Sequence, residues 1–132
     1  SNIMIDKSGR GIIMDFGTAV EFTEKIQYDT GRIISASYCA PERFKRHDKY
    51  DIRSDIYSLG MVFYELFTGR LPFSLDSIPE ITSWHLNDIP LPSDTCNPSL
   101  SKEISAAIKK ALEKKPEKRF NDFMDFKKAL GF

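Results

Sequence analysis

An aspartate that directly follows an apolar run is the first candidate for chemistry in this sequence. In "IIMDFGTAV", residues 12–20, Asp15 comes after two isoleucines and a methionine. A carboxylate in this place is either a solvated turn residue or an acid positioned to hold a metal ion. Mg²⁺ prefers oxygen ligands, so carboxylate and amide oxygens both suit it. Asn2, just before an earlier apolar run, offers such an amide, unless it is merely a loose terminal residue.

Two short apolar runs must position these candidates. "NIMI" and "GIIMDF" are typical of strands, and "DKSGRG" between them holds the Asp and Gly that suit a turn. A hairpin would bring Asn2, at its entry, and Asp15, at its exit, to the same rim. Residues 3–5 are all apolar and are expected in the core. Residues 18–37 show no sustained period and predict a long loop, which in compact domains is usually functional.

Helical patterns follow the loop. Residues 54–68 are apolar almost all round, which predicts a helix in the middle of a core, ended by Gly69. A short helix is predicted in "SIPEITSWHL" and a loop in "NDIPLPSDTCNPS". Ser101 can cap a helix in "KEISAAIKKALEKK" that Pro116 ends, and Asn121 can cap a last one. The inward face of this last helix is predicted to hold Phe123, Phe126, Ala129 and Leu130. The fold class is therefore mainly α, with a small β-hairpin at its N-terminal edge, a long loop and about five helices.

Composition limits the class of protein. The chain has 132 residues, of which 41% are hydrophobic and 29% charged, enough for one domain with a real core. Nineteen basic residues balance nineteen acidic ones, which supports neither a nucleic-acid binder nor a polybasic membrane anchor. There is no signal peptide and no apolar run of about 18 residues, so we expect a cytoplasmic segment without membrane contact, with a membrane anchor elsewhere in the parent protein left open. Cys39 and Cys96 are expected as reduced thiols, with one disulfide as the alternative.

Taken together, the motifs resemble the C-terminal lobe of a eukaryotic-type serine/threonine protein kinase, over essentially the whole chain. "SNIMI" resembles the end of the catalytic loop, "DFG" the magnesium motif, and "SASYCAPE" the end of the activation segment. "DIYSLGMVFYELFTGRLPF" resembles the central helix and its exit. Residues 84–120 are closer to the bacterial branch. The resemblance implies that residues 1–132 are a partial protein kinase domain with a kinase-like C-lobe fold.

The resemblance assigns the nucleotide side of the site to the hairpin. Asn2 and Asp15 are implied as ligands of Mg²⁺ or Mn²⁺, which neutralises the phosphate charge of ATP. Met4 is implied as the floor of the adenine pocket and Met14 as part of its lining. Because Met readily fills gaps, core packing remains an alternative for Met14.

The loop of residues 15–42 resembles an activation segment. Thr30 lies nearest the usual phosphoacceptor position, and a plain solvated threonine is the alternative. Ser35 keeps the hydroxyl expected to bond the catalytic base, although Ile34 replaces the glycine that usually precedes it. The positions that the resemblance implies in this segment are Phe16, Gly17, Thr30, Ser35 and Tyr38.

Three charged residues are implied as structural. Glu42 and Arg119 should form a buried ion pair that holds the end of the activation segment to the helical body. Asp55 is implied as an acceptor of hydrogen bonds from the catalytic-loop backbone. Glu65 either faces the substrate or is a helix carboxylate with a local partner.

Other parts of the family pattern have no match here. The sequence holds no His-Arg-Asp base and no G-x-G-x-x-G loop, so no catalytic base is assigned in this chain, which alone should not transfer phosphate. Because it opens with "SNIMID" and not with Met, we expect a piece of a longer kinase that transfers phosphate from Mg-ATP to Ser/Thr of protein substrates. The alternative is a non-catalytic pseudokinase or docking module built on the helical lobe. The upstream coding sequence discriminates between the two.

Overall fold

The computed structural model describes residues 3–14, 36–45 and 51–132. In these ranges the chain is mainly helical, with one small antiparallel sheet, as the sequence predicts. The strands are β1 (Ile3–Ile5) and β2 (Gly11–Ile13), and 3-10 turns cover Pro41–Phe44 and Pro116–Lys118. The α-helices are α1 (Ile52–Thr68), α2 (Ile78–Asn87), α3 (Ser93–Cys96), α4 (Lys102–Ala111) and α5 (Phe123–Ala129). The long loop predicted over residues 18–37 lies almost wholly outside the described residues.

The hairpin forms as predicted. β1 and β2 pair antiparallel, with Ile3 opposite Ile13 and Met4 opposite Ile12. The turn between them is organised by Asp6, whose Oδ1 accepts hydrogen bonds from the backbone N–H groups of Ser8 (2.8 Å) and Arg10 (2.9 Å). Gly9 has a φ of 83°, a left-handed conformation that a residue without a Cβ adopts readily.

The expectation that residues 3–5 lie in the core is wrong. All three are exposed, and so are Ile12 and Ile13 on the partner strand. Successive side chains of a strand point to opposite faces, and both faces of this hairpin are apolar. A two-stranded sheet has no interior of its own, so its apolar side chains become core only where another layer covers them.

Helix α1 is the centre of the fold. Asp51 caps its start by accepting a hydrogen bond from the N–H of Arg53 (2.8 Å), and Gly69 ends it in a left-handed conformation, as predicted. Gly60 lets α4 approach closely, because a Cβ placed there would lie 2.9 Å from the Cβ of Ala111. The core forms around this contact, with α5 packed beside α4.

The remaining helices correct several boundaries. A short helix, α3, occupies part of the stretch predicted as a loop, and α4 ends at Ala111, before Pro116. Ser101 caps α4 as predicted. Asp122 rather than Asn121 caps α5, because its carboxylate accepts from the N–H of Asp125 (2.8 Å).

Helix α5 contributes fewer core residues than predicted. Phe126 and Leu130 are buried, but Phe123 is exposed because α5 reaches the core only with its second turn. Cys39 and Cys96 are free thiols, so the disulfide alternative is not realised. In the described part of the chain, no helix has the length and apolar character needed to cross a membrane.

Candidate functional site

The structure describes only part of the predicted site. Met4, Met14 and Tyr38 are described, as are Glu42, Asp55, Glu65 and Arg119. The predicted positions outside the described residues are Asn2, Asp15, Phe16, Gly17, Thr30 and Ser35. Within residues 3–14, 36–45 and 51–132, no group of three or more His, Cys, Asp or Glu side chains could hold a metal ion.

The Ala-Pro-Glu motif forms a tight 3-10 turn against the helical body. Pro41 begins the turn, since its fixed φ suits a first helical position. Ala40, just before it, is completely buried beside Tyr57 in the core. The turn therefore points Glu42 inward rather than into water.

Glu42 and Arg119 form the ion pair that the sequence predicts. Nη1 and Nη2 of Arg119 donate to Oε1 and Oε2 of Glu42, each over 2.7 Å, and both side chains are buried. The hydroxyl of Ser54, on α1, also donates to Oε1 of Glu42 (2.7 Å). The two-point contact between guanidinium and carboxylate joins residues that lie 77 positions apart in the chain.

The remaining N–H groups of Arg119 are also satisfied. A guanidinium has five N–H donors, and the other hydrogen bonds reach backbone carbonyls of Glu113 (2.7 Å), Lys114 (3.0 Å) and Arg53 (2.9 Å). The guanidinium also lies over the ring of Tyr57, 4.8 Å from its centroid. Arg119 thus connects the 3-10 turn, the first turn of α1 and the residues that follow α4.

The electrostatics of Glu42 follow from these partners. Burial alone raises the pKa of Glu42, but the hydrogen bonds from Arg119 and Ser54 outweigh it and hold the pKa below its usual value. Glu42 is therefore ionised at neutral pH, which keeps the pair charged.

Tyr38 reaches a second carboxylate on α1. Its hydroxyl donates to Oε2 of Glu65 over 2.6 Å. Burial, together with this negatively charged partner, raises the pKa of Tyr38 to about 12. Of the two interpretations of Glu65, the partner is therefore found, but it comes from 27 residues away rather than from the same helix.

Asp55 and Cys39 have contrasting surroundings. Asp55 is exposed in the first turn of α1, and no hydrogen bond joins its side chain to another described residue. Burial raises the pKa of the Cys39 thiol to about 11, so Cys39 is not a reactive thiolate at neutral pH.

The two methionines of the predicted adenine pocket lie on the hairpin. Because Met4 pairs with Ile12, these two side chains share one face of the sheet, and Met14 directly follows the last residue of β2. Met4 is 53% exposed and Met14 42% exposed. The described residues therefore do not bury Met14 in a core, which was the alternative interpretation.

One buried polar residue beside this site was not predicted from the sequence. His85, on α2, is completely buried and hydrogen-bonds to both Tyr57 and the backbone of Ser37. A histidine in an otherwise helical, partly apolar stretch was the available signal. Its partners lie 28 and 48 residues away, so no local pattern could identify them.

Comparison with known proteins defines the class to which this fold and site belong. A family model described as the protein kinase domain matches residues 1–130. The chain therefore belongs to the protein kinase family.

Individual relatives agree with the predicted bacterial branch. The chain is 35% identical to "Serine/threonine-protein kinase PknB" of Mycobacterium tuberculosis strain H37Rv, over 98% of this chain and 21% of the relative. It is 36% identical to the protein of the same name from Mycobacterium leprae, over 98% and 21%. A "Probable serine/threonine-protein kinase" of Clostridium acetobutylicum is 33% identical, over 94% of the chain and 19% of the relative. The chain spans about a fifth of the length of these curated relatives.

Proposed function

We propose that this chain forms part of the C-terminal lobe of a serine/threonine protein kinase. In the whole protein it would support transfer of the terminal phosphoryl group of ATP, with Mg²⁺, to Ser and Thr side chains of protein substrates. The observation that carries the proposal is the buried pair of Glu42 and Arg119. It anchors the Ala-Pro-Glu end of the proposed activation segment to the helical body with every guanidinium donor satisfied. Membership of the protein kinase family supports the same conclusion.

The metal ligands we propose are Asn2 and Asp15. Their amide and carboxylate oxygens suit Mg²⁺ or Mn²⁺, and the bound ion would neutralise the charge on the phosphates of ATP. The hairpin register supports this assignment. Ile3 pairs with Ile13, so the chain enters and leaves the hairpin at the same end. In the sequence, Asn2 directly precedes Ile3 and Asp15 follows two residues after Ile13.

The adenine ring, we propose, lies against the face of the hairpin that carries Met4 and Met14. Met4 lies on β1, Met14 directly follows β2, and both side chains have accessible surface. A flexible thioether suits contact with a flat apolar ring. Asp15, two residues after Ile13 in the exit from this hairpin, would then stand on the phosphate side of the nucleotide.

The catalytic base, we propose, is encoded upstream of Ser1. Phosphoryl transfer in this family needs an aspartate to accept the proton of the substrate hydroxyl, and the sequence has no His-Arg-Asp motif. The first test is the coding sequence. A reading frame that continues upstream into His-Arg-Asp-Leu-Lys-Pro supports the kinase, and a start codon directly before Ser1 would favour a non-catalytic docking module.

Within the activation segment, Thr30 is the proposed phosphoacceptor, and the Ser35 hydroxyl would bond the base. A phosphate on Thr30 would add charge that an arginine could pair, which orders such loops. Mass spectrometry of the active whole protein is expected to find phosphate on Thr30. An unmodified loop in fully active protein would contradict this assignment.

The decisive experiment uses the protein expressed from its complete reading frame, with labelled ATP. Asp15→Ala is expected to abolish transfer to protein substrates, because it removes the proposed metal carboxylate. Asp76→Ala is the matched control, since Asp76 is an exposed aspartate outside the helices. Full activity of the Asp15→Ala protein would overturn the metal assignment.

A further inference from the structure

His85 joins three parts of the chain by hydrogen bonds inside the core. Its Nδ1 lies 2.8 Å from the hydroxyl oxygen of Tyr57 on α1, and its Nε2 lies 3.2 Å from the backbone carbonyl oxygen of Ser37. The exposed fraction of His85 is 0%. Neither ring nitrogen can therefore exchange its protein partner for water without a local opening of the structure.

The partners determine which nitrogen carries the proton. A carbonyl oxygen can only accept, so Nε2, which faces Ser37, must carry hydrogen and donate. In a neutral imidazole Nδ1 is then an acceptor, and the hydroxyl of Tyr57 donates to it. Only this neutral form satisfies all the groups. Burial, reinforced by the positive charge of Lys114, lowers the pKa of His85 to about 4, which agrees with a neutral ring.

An aromatic shell holds the imidazole in place. Phe44 stacks on it with ring centroids 5.7 Å apart, and Phe73 and Trp84 meet it edge-on at 5.5 and 5.3 Å. Phe44 is the last residue of the 3-10 turn, whereas Ser37 lies near the other end of the same segment. His85 therefore contacts residues 36–45 at both ends.

The carbonyl that His85 holds belongs to the peptide unit that precedes Tyr38. The hydroxyl of Tyr38 is in turn bonded to Glu65 on α1. His85 and Glu65 thus fix the backbone and the side chain of Tyr38 independently. By contrast, the residues proposed to bind nucleotide belong to the hairpin and its exit.

We propose that His85 is a positioning residue for the protein substrate, acting through the Ser37 carbonyl on the segment of residues 36–45 and not on the reacting atoms. The inference rests on the proposed kinase function, under which this segment closes the activation segment. Loss of the hydrogen bond between His85 and the Ser37 carbonyl would displace the segment. The proposed nucleotide-binding residues on the hairpin would stay in place. The signature is a change in the KM for the protein substrate without a change in the KM for ATP.

The test compares two variants of the whole protein with wild type, and the best acceptor from a randomised Ser/Thr peptide library is the probe. His85→Phe removes both hydrogen bonds and is expected to raise the peptide KM about five-fold, with the KM for ATP changed less than about two-fold. His85→Gln offers an amide donor toward Ser37 and is expected to restore the peptide KM to within about two-fold of wild type. A purely structural role would lower the active fraction, and hence the apparent kcat, without separating the two KM values.

Amide hydrogen exchange provides a readout that does not depend on activity. In His85→Phe, amides of residues 36–45 are expected to exchange about ten-fold faster, while those of α4 stay unchanged. If that variant does not fold, Tyr57→Phe, which removes only the hydroxyl, is expected to speed exchange in the same segment about three-fold. Unchanged exchange in residues 36–45 would show that the hydrogen bond from His85 does not hold this segment in place. If exchange becomes faster but the KM values for the peptide and for ATP change equally, or do not change, the positioning role is wrong. A wild-type protein without any transfer activity would instead overturn the proposed function, and exchange would still decide whether His85 holds the segment in place.

Discussion

The two ends of the segment of residues 36–45 are held against the helical body by different chemistry. At one end the carboxylate of Glu42 meets the guanidinium of Arg119 in a buried, doubly hydrogen-bonded ion pair. At the other end the neutral ring of His85 donates one hydrogen bond to the Ser37 carbonyl. Both contacts are buried. The first requires that both side chains are charged, whereas the second requires that the imidazole of His85 is neutral.

This difference separates anchoring from positioning. Removing one partner of a buried ion pair leaves the other charge without compensation in a medium of low polarity, which is costly. Removing a neutral hydrogen bond leaves a smaller penalty, confined to one donor or acceptor. We therefore expect the Arg119 end to control the stability of the whole helical body and the His85 end to control the local placement of the segment.

The largest expected effect is that of Arg119→Ala. It leaves Glu42 charged and buried and removes the donors to three backbone carbonyls, so the free energy of unfolding should fall by about 3–5 kcal/mol. The measurement is chemical denaturation of the whole protein, with the melting temperature as a second readout. An unchanged melting temperature would contradict the anchoring role.

A matched control for this change is Arg53→Ala. Arg53 also pairs with a carboxylate, that of Asp51, but both side chains are about a third exposed. Pairs of that kind contribute about 0–1 kcal/mol. Equal losses in the two variants would show that burial is not what makes the Arg119 pair important.

The next effect is a loss of stability in mild acid. The pKa of His85 is lowered from about 6.5 to about 4 in the folded protein, so the unfolded chain binds the proton more readily. The contribution of His85 to the free energy of unfolding is complete above pH 6.5 and falls by about 3 kcal/mol as the pH approaches 4. Glu42, whose pKa is lowered from 4.5, loses its contribution to stability as the pH falls below about 4.5, so the range from pH 6.5 to 4.5 reports on His85.

Urea denaturation at several pH values between 7 and 4.5 checks this expectation. His85→Gln cannot titrate, so its stability should change less with pH over that range. A wild-type protein and a His85→Gln variant with the same pH dependence would show that the imidazole is not the group responsible. The contact at the His85 end would then not account for the loss of stability in mild acid.

A smaller effect is expected from Ser54→Ala. This substitution removes one hydrogen bond to a charged carboxylate, while both oxygens of Glu42 keep Arg119 as a partner. The free energy of unfolding should fall by about 2 kcal/mol. Ser58→Ala is the control on the same helix, since within the described part of the chain the Ser58 hydroxyl bonds only to the Ser54 carbonyl (3.2 Å). A larger loss in Ser58→Ala would contradict the importance of the contact with Glu42.

The smallest global effect is expected from Tyr57→Phe. The ring that packs in the core is kept, and only the hydroxyl that donates to His85 is lost. Stability should fall by about 1 kcal/mol, measured by denaturant titration at neutral pH. A loss as large as that of Arg119→Ala would mean that the neutral end anchors residues 36–45 to the helical body as strongly as the ion pair does.

Local patterns predicted much of the fold. The two short apolar runs "NIMI" and "GIIMDF" and the Asp and Gly of the turn predicted the hairpin, and Gly69 and Ser101 were recognised as helix boundaries. These features depend on residues a few positions apart. The same reasoning missed Asp122 as a cap, because Asn and Asp serve equally well there and stand side by side.

Burial was the harder property to predict. The apolar residues of the hairpin looked like core and are exposed, whereas the polar residue His85 is completely buried. Apolar character states what a side chain gains from burial, but not whether another layer covers it. Glu42 and Arg119 were paired in advance only through the resemblance to a family, since 77 residues separate them.

The sequence by itself determined the family, the helix-rich class with its N-terminal hairpin, and the candidate metal ligands Asn2 and Asp15. These properties depend on the order of the motifs and on the secondary-structure preferences of neighbouring residues, both of which can be identified from the sequence. Only the tertiary structure decided that Arg119 satisfies all five of its donors, that Tyr38 reaches Glu65, and that His85 is held neutral between Tyr57 and Ser37. Hydrogen bonds and pKa values depend on which distant groups folding brings together and on the water it excludes, and no local stretch of sequence contains that information.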